Sequence, residues 1–116
     1  MPQAIPAAIP KTGAREALCW LLRGRQRFVV RGRSMLPTLA EGATVLVEPG
    51  AVPAVGDVVV AWHPHVKDLV LIKRVDALDT GGRAVLHGDN PAESSHSFGA
   101  LRPEAILGVV RSQLAP

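Results

Sequence analysis

The chain has 116 residues, enough for one domain around one core and too few for a second. Hydrophobic residues make up 47%, which excludes disorder over the whole length, and with 3% aromatics and no tyrosine the core must be built from valine, leucine, isoleucine and alanine. The formal net charge is +3, much of it early, at Arg23, Arg25, Arg27, Arg31 and Arg33. Phe28 is the one aromatic among these arginines, so an acidic substrate or partner surface suits them better than nucleic acid.

In chain order, residues 1–12 are rich in proline and alanine and read as an extended arm, and residues 13–116 read as a single domain. The first ten residues carry three prolines and no basic stretch, which argues against a secretory signal. The apolar run at 17–22 is far shorter than the roughly 20 residues of a membrane helix, so the expectation is a cytoplasmic protein with no integral membrane anchor. Thr12 is placed to cap a short helix over 14–22, whose apolar members Ala14, Ala17, Leu18, Leu21 and Leu22 follow helical spacing. Cys19, the one cysteine, lies in that apolar stretch; it reads as a buried structural thiol with no intramolecular disulfide.

From Arg27 onward the signals are β. Phe28-Val29-Val30 leads into a turn, Thr44 to Val47 follows Glu41-Gly42, and Asp57 to Trp62 follows Val55-Gly56. Strands over 68–75 and 84–87 are separated by the turn Asp79-Thr80-Gly81-Gly82, and a last strand covers 106–112. Short strands with regular glycine and proline punctuation predict a mainly β fold, a small barrel or folded sheet with one short N-terminal helix.

Two residues stand out chemically. Ser34 lies in Val30-Arg31-Gly32-Arg33-Ser34-Met35-Leu36-Pro37-Thr38-Leu39, a turn shaped by Gly32, which permits unusual backbone angles, and by Pro37, which pushes Leu36 toward an extended conformation. Such a loop holds a hydroxyl outward with its own N–H facing a tetrahedral oxyanion, while Met35 and Leu36 offer apolar lining for a small side chain. Lys73 follows 39 positions later in an apolar strand, alternating with Leu71 and Val75, while Arg74 alternates with Ile72 and Val70. Serine needs a base, and a desolvated lysine supplies one. The structural alternatives are an ordinary turn serine, and a lysine that snorkels to an edge or pairs with Asp89. A third segment, His87-Gly88-Asp89-Asn90-Pro91-Ala92-Glu93-Ser94, is a turn in which Asp89 can bond its own backbone and Ser94 can orient the amine of Lys73.

Together these segments resemble the type I signal peptidase family of Ser–Lys proteases. Ser34-Met35-Leu36-Pro37-Thr38-Leu39 matches the family's nucleophile box, Lys73-Arg74-Val75 its lysine box, and Gly88-Asp89-Asn90 with Ser94 its later box; Arg102 to Gly108 is similar to its last strand. The resemblance implies Ser34 as nucleophile, Lys73 as general base, the Ser34 N–H in the oxyanion hole, Ser94 orienting Lys73, and cleavage of an extended peptide after a small residue. Pro37, Asp89 and Asn90 would be structural near the site, and no cofactor is implied.

Three departures accompany it. Gly32 stands where many members carry a hydroxyl residue completing the oxyanion hole, His96-Ser97-Phe98 replaces an Asp-Ser-Arg whose ion pair therefore cannot form, and the second β domain is absent. Without an anchor the chain looks like the compact subgroup of nickel-type superoxide dismutase maturation proteases, implying a precursor protein as substrate. The rival readings are a LexA/UmuD-like self-cleaving regulator, which expects an upstream Ala-Gly or Cys-Gly that this chain lacks, and a non-catalytic peptide-binding module of the same fold. The histidines at 63, 65, 87 and 96 fix no third ligand by spacing, so no metal site is expected.

Overall fold

The computed structural model describes Ile9, residues 24–92 and residues 99–114. The expected helix over 14–22, Cys19, Ser94 and His96 lie outside the described residues. Seven strands form one antiparallel sheet: β1 (Gln26–Val29), β2 (Thr44–Pro49), β3 (Val58–Trp62), β4 (Val70–Leu78), β5 (Ala84–His87), β6 (Ala100–Leu101) and β7 (Ile106–Gln113), in the spatial order β1-β2-β7-β3-β4-β5-β6. The mainly β, folded-sheet expectation is met.

The sheet folds over both of its faces. Val30, Met35, Leu39, Val45, Val47, Val58, Val60 and Val110 make one core, against which Phe28, Val70 and Ile72 pack. Val59, Ala61, Val75, Ala84, Leu86, Leu101 and Val109 make the other. Strand β3 belongs to both: Val58 and Val60 face one core, Val59 and Ala61 the other, none more than 1% exposed. Burial on two faces is why this segment is a continuous apolar run with no alternation. Gly108 on β7 is required by a close approach: a Cβ there would lie 2.5 Å from the Glu48 carbonyl oxygen and 2.6 Å from Val47 Cγ1, beside the bulge where β2 shifts register against β7.

Several boundaries differ from expectation. Asp68 and Leu69 belong to the β3–β4 hairpin tip, with Asp68 at φ 62°, and β4 starts at Val70. At its other end β4 runs through Leu78, past a bulge between Val75 and Ala77 that shifts its register with β5. A bulge breaks the strict two-residue alternation, which hides the strand's continuation from a pattern search. The two-residue β6 and the 3-10 turn Pro103–Ala105 are too short to carry a periodic signal.

Candidate active site

Ser34 sits in a series of turns that follows β1 directly. Pairing continues past β1, with the Val30 N–H donating to the Ala43 carbonyl and the Gly42 N–H to the Val30 carbonyl, and the chain then reverses at Gly32, φ 79°. That angle is open to glycine at little cost. The Gly32 N–H donates to Glu41 Oε2 at 2.8 Å, fixing the approach to the serine. Behind it, Met35 and Leu39 are buried at 1% and 0% exposure, and the Leu39 N–H donates to the Met35 carbonyl. Pro37 follows a cis peptide bond and is exposed. The turn is thus anchored by its apolar members, while Ser34 itself is half-buried.

The segment Gly88-Asp89-Asn90 holds this turn from the other side. Gly88 abuts Ser34 so closely that a Cβ would meet the Ser34 carbonyl oxygen at 2.6 Å and Ser34 Cβ at 3.2 Å. The Asn90 N–H donates to that same Ser34 carbonyl at 2.9 Å, and Asn90 Nδ2 donates to the Arg33 carbonyl at 2.8 Å. Thr38 Oγ1 donates to Asp89 Oδ2. Asp89, whose side chain is fully buried, also receives Arg74 in a forked pair, Nε to Oδ1 at 2.9 Å and Nη2 to Oδ2 at 2.8 Å, and Arg74 Nη1 donates to the Gly56 carbonyl at 2.6 Å. Burial alone pushes the Asp89 carboxyl up; the hydrogen bonds from Arg74 and Thr38, the Arg74 charge and the nearby His87 outweigh it and hold the group below the usual carboxylate range. The carboxylate that could have paired with Lys73 is therefore committed to Arg74.

Consecutive residues on a strand point to opposite faces, so Arg74 reaching the Asp89 clamp turns Lys73 the other way. Lys73 and Ser34 line the same cleft, a cavity of about 700 Å³ bounded by residues 27–35 on one side and 68–73 on the other. The register brings them to one end of it. His87 pairs with Arg74, so Gly88, which touches Ser34, lies one step further along, beside Lys73. Met35 also lines the cleft, whereas Leu36 is not among the lining residues.

Gly88, Thr38 and Arg74 are site-shaping residues that sequence reasoning did not single out. Arg74 carried a signal, since a permanent charge on an apolar strand face demands a buried partner. Elsewhere, His63 Nδ1 accepts the N–H groups of His65 and Val66 at 2.9 and 3.0 Å, shaping the hairpin tip. The His87 ring lies 3.7 Å from Asp76 and 3.9 Å from Asp89, and its buried Nδ1 has no hydrogen-bond partner among the described residues. Among the described residues no group of three or more His, Cys, Asp or Glu could hold a metal ion, and no helix is long and apolar enough to cross a membrane.

No curated protein and no solved structure matches the chain. The family model described as Peptidase S24-like matches residues 19–111, which takes in the Ser34 turn, Lys73, the Gly88-Asp89-Asn90 clamp and nearly all of the sheet. A serine-peptidase type of hydrolase agrees with a cleft lined by a serine and a lysine, and the chain belongs to the Peptidase S24-like family.

Proposed function

We propose that the protein is a serine endopeptidase in which Ser34 is the nucleophile and Lys73 the general base, and that it removes an N-terminal extension from a precursor protein bound in the cleft as an extended peptide. The observation that carries this reading is the shared cleft of Ser34 and Lys73, with the Ser34 turn held against Gly88. In the reaction, Lys73 takes the Ser34 hydroxyl proton as Oγ attacks the scissile carbonyl, and the Ser34 N–H faces the oxyanion that forms. The lysine then protonates the leaving amine; neutral again, it takes a proton from the water that attacks the acyl carbonyl and returns it to Ser34 Oγ as the acyl group leaves. Ser94 is assigned to orient Lys73, and Met35, which lines the cleft, to contact substrate. The nickel-type superoxide dismutase precursor is the candidate substrate offered by resemblance to the compact signal peptidase subgroup, and a cytoplasmic location goes with it.

The family match favours a second reading, cleavage of the protein's own chain in the manner of LexA/UmuD-like regulators. The absence of any Ala-Gly or Cys-Gly dipeptide favours action on another protein. One experiment separates the readings. The full chain is incubated alone and with a candidate precursor, and the products are weighed by mass spectrometry for wild type, Ser34→Ala and Lys73→Ala. Processing in trans predicts precursor shortening that both substitutions abolish and that rises with pH as the base is deprotonated. Fragments of the chain itself, formed at a rate independent of its concentration, mean self-cleavage. Precursor shortening that survives both substitutions refutes the dyad, and binding without cutting by the wild type leaves a peptide-binding module.

A further inference from the structure

Asn90 grips the chain on both sides of Ser34. Its side-chain Nδ2 donates to the Arg33 carbonyl at 2.8 Å, and its backbone N–H donates to the Ser34 carbonyl at 2.9 Å. Oδ1 of the same side chain accepts the Ala92 N–H at 2.9 Å, so the amide cannot turn over without losing both of its side-chain bonds. One residue thereby fixes two consecutive peptide groups, 33–34 and 34–35, from outside the turn that contains them.

Peptide planarity converts that grip into direction. The 33–34 peptide is trans, so its carbonyl and its N–H lie in one plane and point opposite ways. With the Arg33 carbonyl drawn to Asn90, the Ser34 N–H is turned away from Asn90. The second bond holds the 34–35 plane. Two fixed planes leave the φ and ψ of Ser34 little freedom, which sets the direction of its Cα–Cβ bond and so the arc open to the hydroxyl. The Leu36 N–H also reaches the Arg33 carbonyl, at 3.2 Å. That bond lies inside the turn and moves with it, whereas Asn90 belongs to the segment after β5 and ties the turn to the sheet. Two positions before the serine, Gly32 brings no side-chain donor and its N–H goes to Glu41 Oε2, which raises the demand on the Ser34 N–H.

We infer that Asn90 is a positioning residue, which aims the Ser34 N–H at the developing oxyanion through the plane of the 33–34 peptide. This rests on Ser34 being the nucleophile and adds the residue that orients its oxyanion donor. Asn90 acts through the Arg33 carbonyl, not by contact with the reacting atoms.

The test uses the full chain as wild type, Asn90→Ala, Asn90→Asp and Ser34→Ala, with a thermal melt of each to show that folded protein is measured. Two fluorescein-labelled peptides of alternating valine and serine serve as probes, one ending in an alanine boronic acid and the other in an alanine amide. With the first, Ser34 Oγ bonds to boron, the hydroxyl proton passes to Lys73, and the tetrahedral boron group carries the negative charge with one oxygen at the oxyanion position. The amide probe occupies the same cleft without that oxygen. Asn90→Ala should weaken the boronate by about thirtyfold, short of the roughly hundredfold or more lost when such a donor is deleted outright, and leave the amide probe within about twofold. Asn90→Asp keeps the size and the acceptor for the Ala92 N–H but sets an oxygen against the Arg33 carbonyl, so its boronate loss should be at least as large. Unchanged boronate affinity in both variants overturns the inference. A boronate loss matched by an equal loss for the amide probe means that Asn90 only shapes the cleft, which overturns the aiming role and leaves the nucleophile standing. A wild type that binds the boronate no more tightly than Ser34→Ala does overturns the nucleophile, and this inference with it.

Discussion

Replacing Gly88 by alanine tests whether the contact between the residue that follows β5 and the nucleophile turn positions Ser34. The added Cβ would stand 2.6 Å from the Ser34 carbonyl oxygen, closer than the 3.0 Å that real Cβ atoms respect, and 3.2 Å from Ser34 Cβ. Backbone cannot swing aside as a flexible side chain can, so the turn has to retreat by about half an ångström or more, an overpacking that costs about 1–3 kcal/mol. Retreat also stretches the 2.9 Å bond from the Asn90 N–H to the same carbonyl, whose loss costs about 1 kcal/mol. A total of about 2–4 kcal/mol corresponds to a melting temperature lower by roughly 8–16 °C for a domain of this size. The effect on chemistry should be larger than stability alone implies, because displacement of a reacting atom by about 1 Å can cost about a hundredfold in rate. The assay pairs a thermal melt with peptide or precursor cleavage, measured well below the melting temperature. Gly81→Ala is the control, since its Cβ meets nothing closer than Asp79 Oδ1 at 3.4 Å and its φ is not positive. If Gly88→Ala melts with the wild type and cleaves at the same rate, the contact does not position the serine and the packing argument is wrong.

Asp89→Asn should destabilise the protein by about 3 kcal/mol, read from the urea midpoint, because it strands the buried Arg74 guanidinium without its counter-charge. The same carboxyl makes stability pH-dependent: its folded pKa is depressed, so its contribution is complete above the unfolded value of about 4 and disappears as pH falls through the lower folded value. The stability gap between wild type and Asp89→Asn should accordingly narrow in acid, and a gap that widens below about pH 4 would contradict the assigned sign. His63→Ala should speed amide hydrogen exchange at His65 and Val66 about five- to tenfold, corresponding to about 1 kcal/mol for a lost acceptor, with β2 and β7 amides unchanged as the internal reference.

How much of this was legible in the sequence depends on whether the controlling interaction is local. The Asp79-Thr80-Gly81-Gly82 turn and the strand Ala84–His87 lie where residue types place them, because turn chemistry and short apolar runs are local signals. The bulged strand β4 was cut short, since an extra residue inverts the alternation that a reader follows. Ser34 and Lys73 were identifiable as chemistry, and the structure places them in one cleft. The clamp was legible only as a motif. That Asp89 reaches Arg74 and Thr38 depends on side chains 15 and 51 positions away, and no spacing rule encodes such a choice. Sequence reasoning offered Asp89 its own backbone or Lys73 as partner, whereas the structure gives it Arg74, the next residue on β4. Strand alternation resolves the choice, since only one of two consecutive residues can face it.

The strand order has a consequence for when the protein can act. Among the described residues, the strand ladder joins the half of the sheet that carries Ser34, β1 with β2, to the half that carries Lys73, β3 with β4, through β7, and the Asp89 and Asn90 contacts join them a second time across the cleft. A nascent chain short of Ile106 can form both hairpins and the Asp89–Asn90 clamp, but it lacks the strand that pairs with β2 on one side and β3 on the other. The two cleft walls meet when β7 slots between Val45–Pro49 and Val59–Ala61. Completion of β7 is then the step that sets the two cleft walls against each other through the sheet. The same pairing makes β7 a natural breakpoint: a chain ending before Ile106 should recover the closed sheet when a separate peptide covering Ile106–Gln113 is added.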